Sequence, residues 1–526
     1  MRVTFNLVLL AVALALVPAL AAQSGDEKAA LSADTYTMGG LRLLWRSQFG
    51  VLGAELEYRI LVPRSADEAA LIVTGPDDIS WAATHAATGI RYVEAHEITA
   101  QTLHKLPESI RIGVTHLSIN RSSIGAAELE QLQQSFPALR GLMLEVTWPI
   151  DKLALRALRA FTGVQELSLH VTWGEDIDVA VDPMTALLAF KGAQRLDLGC
   201  DLSFWHADWA LQFSSLEWLR VAGATKLPHG HFWDSLSLLP ELHYLNVGFQ
   251  SCSGWSAERI NLLKKNKHLE GLTLSGSCDE NPAELFQSFA SLPRLAYLIL
   301  PSTVGEKWDD AFSLLSGKRF KALGVAEFSP KIAQFLMSQT ALTDLAVHFN
   351  DNEGRTGDIN TLLACTNLRV LWLDYFKSDP AALATLTADL PITDLHFSGG
   401  KLGDRMMPFV ARCPKLEVLI LNHRVTSTAK CWETFGKLKS LRVLTIPIRE
   451  VEGLADLMSA LESLEVLGDP TGAAWTKAIE TALARLPAIR VIVACGVSEA
   501  AAERLKAKKK NVRICDHLPQ YGSRPK

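Results

Sequence analysis

Along most of this chain the apolar residues fall into a short phrase that keeps returning. In Phe136 to Val146, FPALRGLMLEV, Leu139, Leu142 and Leu144 stand three and then two residues apart. The phrase restarts at Val114, Leu139, Val164, Ala193, Leu216, Leu242, Leu269, Leu295, Phe320, Leu342, Leu368, Ile392, Leu416, Leu441, Leu464 and Ile489, with weaker copies at Ile90 and Val512. These 18 anchors between residues 90 and 512 give a mean period of about 24.8 residues, the signature of a stacked repeat array. Apolar side chains three and five positions past each anchor predict a short strand with those positions inward. About a dozen residues of helical spacing follow, as in GAAELEQLQQSF, where Leu129, Leu132 and Phe136 share a face. One strand and one helix cannot bury their apolar faces alone, so neighbouring repeats must stack.

A second row runs three positions before the anchor. Phe136, Phe161, Phe190 and Phe213 occupy it in succession, then Leu239, Leu292, Leu438, Leu461 and Leu486. It reads as a buried spine between helices and strands. Cys365 and Cys413 hold the same place and read as small buried hydrophobes. Pro137, Pro240, Pro293, Pro414 and Pro487 come one residue later, where proline disfavours helix at the residue before it. The spacing runs from 22 residues (Phe320 to Leu342) to 29 (Val164 to Ala193), which puts insertions in surface loops.

Eighteen phrases of the form LxxLxL in phase resemble the leucine-rich repeat superfamily, most closely its helix-containing, ribonuclease-inhibitor-like branch. The resemblance covers residues 90 to 515. It implies an α/β leucine-rich repeat solenoid of about 17 to 18 repeats, a curved horseshoe with a parallel inner sheet and outer helices. The sequence departs from the family eight residues after the anchor. Only Asn350 keeps the family's asparagine there, while Ser122, Thr147, Thr172, Asp201, Gln250, Ser277 and Thr303 replace it. A continuous asparagine ladder is therefore not expected.

The ends read differently. Arg2, the apolar run Leu7 to Ala22, and small residues at Ala19 and Ala21 read as an export signal over residues 1–21, and the run is shorter than the roughly 20 residues a spanning helix needs. The expected location is secreted, periplasmic or in the cell envelope, with no membrane span in the mature chain. Residues 22–89 do not hold the period and read as a capping region over the first repeat, with YRILVP and AALIVTG as strands; 516–526 reads as a loose tail. Export makes disulfides admissible. Cys252 and Cys278 lie in corresponding loops of adjacent repeats, close enough across a strand spacing of about 4.8 Å to form one.

Charge narrows the partners. Lys and Arg number 52 against 57 Asp and Glu, a net of −5, with no long basic stripe, so nucleic acid is not an expected partner. The run Lys506 to Asn511 reads as the solvated end of a last helix. No catalytic motif, cofactor motif or CxxC occurs. His229 and His231 lack a third metal ligand, and Asp351 to Asp358 lacks calcium-loop spacing, so no metal or cofactor is expected.

The informative positions are two, four and six past each anchor, which face the concave surface. Trp218 and Tyr244 are neighbours on the first row, and Tyr297 lies two strands beyond Tyr244 with Gly271 between. Two strands at about 4.8 Å each predict a slot of about 10 Å between the tyrosines. Arg220 and Asn246 supply polar contacts on the next row. Aromatic walls, a glycine floor and polar groups suit a protein, peptide or glycan ligand, although cross-strand packing is the structural reading of the same aromatics. The leading functional reading is an exported, non-enzymatic recognition protein. The alternatives are an enzyme using a group such as His348, Asp374 and His396, or a structural envelope component.

Overall fold

The computed structural model describes residues 69–515, apart from short stretches at 74, 85–89, 174–185, 200–208, 225–229, 250–254, 276–280, 301–305, 326–327, 349–356, 375–380, 399–402, 422–425, 470–473, 490, 495–496 and 510–511. Its nineteen strands are β1 Ala69–Val73, β2 Ile90–His96, β3 His116–Arg121, β4 Gly141–Ile150, β5 Glu166–Trp173, β6 Arg195–Gly199, β7 Trp218–Ala224, β8 Tyr244–Phe249, β9 Gly271–Ser275 and β10 Tyr297–Ile299. They continue as β11 Ala322–Val325, β12 Asp344–His348, β13 Val370–Asp374, β14 Asp394–Ser398, β15 Val418–Leu421, β16 Val443–Thr445, β17 Val466–Asp469, β18 Val491–Ala494 and β19 Arg513–Cys515. Each strand pairs parallel with the next in chain order, and from His116 to β18 equivalent positions of the repeat stand opposite each other, whereas β19 is offset by one from the Val512 anchor, with Ile492 facing Ile514. The fold is an α/β leucine-rich repeat solenoid. Strands stack at about 4.8 Å and packed helices at about 8–10 Å, so an array with strands on one side and helices on the other must bend with the sheet inside.

The predicted inward positions are the core. Leu142, Leu144, Leu167, Leu169, Leu196 and Leu198 are buried, and one apolar cluster runs from Leu71 to Val512. Six of the spine residues prove to be helix C-caps. Phe136, Phe161, Leu292, Cys365, Leu438 and Leu486 each end a helix and are buried, so one side chain both stops the helix and fills the core. At the other end of the crossover, Asp151, Ser256, Ser329, Thr428, Thr476 and Ser498 cap helices by accepting a backbone N–H. The outer layer mixes short α-helices with 3-10 segments, including Leu188–Phe190 and Glu306–Leu315. A 3-10 segment rises about 2.0 Å per residue against 1.5 Å, so it spans the crossover with fewer residues.

Two buried polar residues share the spine row unnoticed by the apolar pattern. Asn266 donates to the Leu236 and Leu239 carbonyls at 2.9 Å each. Gln339, fully buried, accepts from Phe320 N at 3.1 Å. Each meets backbone groups that a leucine would leave unpaired. Cys365 and Cys413 are buried, and burial pushes their thiols up to about 11 and about 12, the behaviour of inert small hydrophobes.

Stacking does not depend on an asparagine ladder. The carbonyl one position past each anchor accepts two N–H groups from the next repeat. Thr115 O takes Arg140 N and Gly141 N at 2.8 and 3.0 Å, and the pattern runs unbroken to Arg442 O with Glu465 N and Val466 N. This repeated three-centre bond needs no particular side chain, which is why so varied a set of residues stacks.

At the N-terminal end, β1 pairs parallel with β2 and Pro76–Thr84 is helical, so residues 69–84 continue the strand–helix alternation into the segment assigned to capping. At the other end, Lys506 and Lys508 lie in the last turn of the helix Glu499–Lys508, where cations suit the negative pole. The signal region, Cys252, Cys278, His229 and the tail 516–526 lie outside the described residues.

Candidate functional site

The register turns the inner sheet face into three aligned rows. The first runs His116, Gly141, Glu166, Arg195, Trp218, Tyr244, Gly271, Tyr297. Four positions past the anchor stand Ser118, Met143, Ser168, Asp197, Arg220, Asn246 and Thr273; on the third row Asn120, Glu145, His170 and Gly199 follow one another.

The sequence places Trp218, Tyr244, Gly271 and Tyr297 on one row, and they are there. The open slot is not. The Tyr244 and Tyr297 rings meet edge-on, with centroids 5.5 Å apart at 71°. Gly271 permits this, since a Cβ there would stand 2.3 Å from Tyr244 Cδ1. The phenols share a hydrogen bond, and burial, Tyr297 and Glu270 together raise the Tyr244 hydroxyl pKa above its ordinary value. Trp218 is 3% exposed, so it offers a ligand almost no surface. The gap is thus a closed aromatic ridge, with Lys321 Nζ 5.9 Å from the Tyr297 ring centre. Arg220 and Asn246 stand opposite each other beside it, both partly exposed.

Rings lying across a neighbouring glycine recur on this face. The His116 ring covers Gly141, where a Cβ would stand 2.1 Å from Cδ2, and His170 covers Gly199 at 2.6 Å from Nδ1. This second fold-over delivers His170 Nε2 to 3.0 Å from Asp197 Oδ1. Asp197 is fully buried and also receives Arg220 Nη1 at 3.3 Å and Ser168 Oγ at 3.2 Å. Burial alone would push its carboxyl up, but Arg220 and His170 hold it down at about 2. Three strands away, His96 Nε2 lies 2.8 Å from Glu94 Oε1. His116 is held down at about 4 by burial, Arg140 and Arg195, so it is neutral at ordinary pH. The signal for Asp197 was a charge set between the last two leucines of QRLDLG, four residues past the anchor. Its partners lie 23 to 29 residues away and carry no local signature.

The grouping of His348, Asp374 and His396 comes together only in part. Register sets His348 opposite Asp374, whereas His396 stands opposite Trp372 and stacks on it at 4.8 Å and 15°. His396 is 1% exposed, a packed ring rather than a presented base. Among the described residues, no group of three or more His, Cys, Asp or Glu side chains is placed to hold a metal ion. No helix among them is long and apolar enough to cross a membrane.

No protein-family model matches this chain, and no curated protein matches it. Among solved structures it is similar to a leucine-rich repeat protein of Leptospira interrogans, at 16% identity and a TM-score of 0.29, covering 85% of this chain and 95% of that one. It is also similar to the yeast Rad7 and Elc1 complex, at 14% identity and a TM-score of 0.42, covering 64% and 86%. The repeat and the in-order parallel sheet, rather than these likenesses, define the class: a leucine-rich repeat protein.

Proposed function

We propose that this chain is an exported, non-enzymatic recognition protein that binds a protein or peptide ligand on the inner face of its sheet. A leucine-rich repeat fold suits protein–protein interaction, because stacked parallel strands present side chains in straight rows at a fixed spacing. The observation that carries the reading is the inner face of β3 to β10, where His116, Glu166, Arg195, Arg220, Tyr244, Asn246 and Tyr297 stand in register and partly exposed. Aromatic and arginine side chains at the centre of a charged, partly exposed face are the composition of an interface. Recognition is centred on the Tyr244–Tyr297 ridge with Arg220 and Asn246, and the buried Trp218 stands beside Tyr244 on the same row. Export rests on the apolar N-terminal run, and the absence of a catalytic motif supports binding over catalysis.

The test is affinity capture from the native cell envelope with mass spectrometry. The chain carrying Tyr244→Ala with Tyr297→Ala is expected to lose the captured ligand while melting within a few degrees of the native protein. Undiminished capture by that variant contradicts the reading, and a much lower melting temperature makes the ridge structural.

A further inference from the structure

The inner face of β2 to β7 carries two carboxylate–imidazole pairs with a third carboxylate between them. Glu94 with His96 marks one side and Asp197 with His170 the other. On β4, register places Glu145 opposite Asn120 of β3 and opposite His170 of β5. Glu145 is partly exposed and, among the described residues, makes no hydrogen bond or ion pair. Burial raises its carboxyl above the ordinary range; His170 and His96 oppose the rise, and Glu94 and Asp197 add to it.

The cations around it are committed elsewhere. From β3, Arg121 is paired with Glu128 at 2.6 Å, and His116 is neutral. On β6, Arg195 stands opposite Glu166 of β5, while Arg220 of β7 is paired with Asp197. The helices Ala126–Ser135 and Lys152–Ala157 behind β4 turn Leu129, Leu132, Ala154 and Leu155 towards the core, not charges. Glu145 is therefore the carboxylate this face leaves uncompensated. A partly desolvated anion of that kind gains most from an incoming cation, because screening is weakest there.

We infer that Glu145 is the seat for a cationic side chain of the recognised ligand, a lysine or arginine, and that acidification releases it. The inference rests on the reading of the inner face as the recognition surface. The sign follows from the chemistry. A seat that binds cations only when ionised, and whose carboxyl is raised, fills with a proton before an ordinary glutamate would as pH falls. Asp197 stays ionised throughout this window, so the neighbouring pairing survives while the seat is lost.

The test uses the intact chain and a hexa-arginine peptide as probe, followed by calorimetry at pH 7.5 and pH 5. Binding is expected at pH 7.5, weaker at pH 5, and weaker by about tenfold or more in Glu145→Gln at pH 7.5. Glu130→Gln, on the exposed side of the helix behind β4, makes the same charge change and is expected to bind as the native chain does. Equal loss in both variants, native-like binding by Glu145→Gln, or no binding at pH 7.5 overturns the inference. If Glu145→Gln is silent while the tyrosine variant still loses capture, the seat is wrong and the recognition reading stands.

Discussion

Phe286→Ala is expected to cost about 3–5 kcal/mol and to split the unfolding transition. Phe286 is fully buried in the helix Pro282–Ser291 and meets Phe289, Trp308 and Phe312 at ring distances of 5.6, 5.6 and 5.0 Å. Phe312 meets Phe335 in turn at 5.4 Å, so the aromatic run joins successive repeats. Truncation removes the transfer gain, the edge-to-face contacts and the packing around the hole. In a solenoid each repeat contacts only its neighbours, so a weak joint near the middle lets the two halves melt separately. Phe286→Leu keeps most of the volume and is expected to cost less than about 1.5 kcal/mol. Denaturant unfolding followed by circular dichroism and tryptophan fluorescence reads both. A single, unshifted transition in Phe286→Ala would mean the aromatic run does not couple the repeats.

Asp197→Ala is expected to destabilise by about 2–3 kcal/mol, less than a fully buried pair broken on one side, because its partners still reach water. Arg220 and His170 keep 24% and 29% side-chain exposure. Arg220, His170 and Ser168 all lose their acceptor. The carboxyl is held down at about 2 in the fold, against about 3.9 in an unfolded chain. Its ionised pairing therefore stabilises the protein fully above about pH 4, and that contribution is lost as pH falls through about 2. Over that window the native chain should lose roughly 2 kcal/mol that Asp197→Ala does not lose. Melting curves taken from pH 5 down to pH 2 compare the two slopes, and parallel slopes would remove Asp197 from the account.

The fold was legible because stacking makes every repeat bury the same positions, so selection for burial writes one period through the whole chain. Leu142, Leu167 and Leu196 are buried for the same reason, and each is visible from its own phrase. The spine row was equally legible, down to the helix-ending role that its prolines suggested. What replaced the missing asparagine ladder was not visible, since a carbonyl that accepts two N–H groups leaves no residue type behind.

The site was legible by row but not by contact. Alternation put Trp218, Tyr244, Gly271 and Tyr297 on one line, and register confirms it. Alternation says nothing about which way a side chain leans along the sheet. Tyr244 leans over Gly271 and closes the slot, and the same lean over Gly199 carries His170 to Asp197. Gly271, read as a floor, is what a ring lies on, and Gly199 serves His170 in the same way. Glu145 escaped notice because an uncompensated carboxylate is defined by what surrounding strands fail to supply.

The central claim is that the inner face, not the helical side, meets the ligand. A photo-crosslinking amino acid placed at Asn246, beside the ridge, tests it most directly when compared with one at Leu238, which is 49% exposed in the turn after the helix Gly230–Leu236. In the native envelope, irradiation is expected to join one dominant ligand to position 246 and none to position 238. The same adduct at 238 with none at 246 would contradict the account.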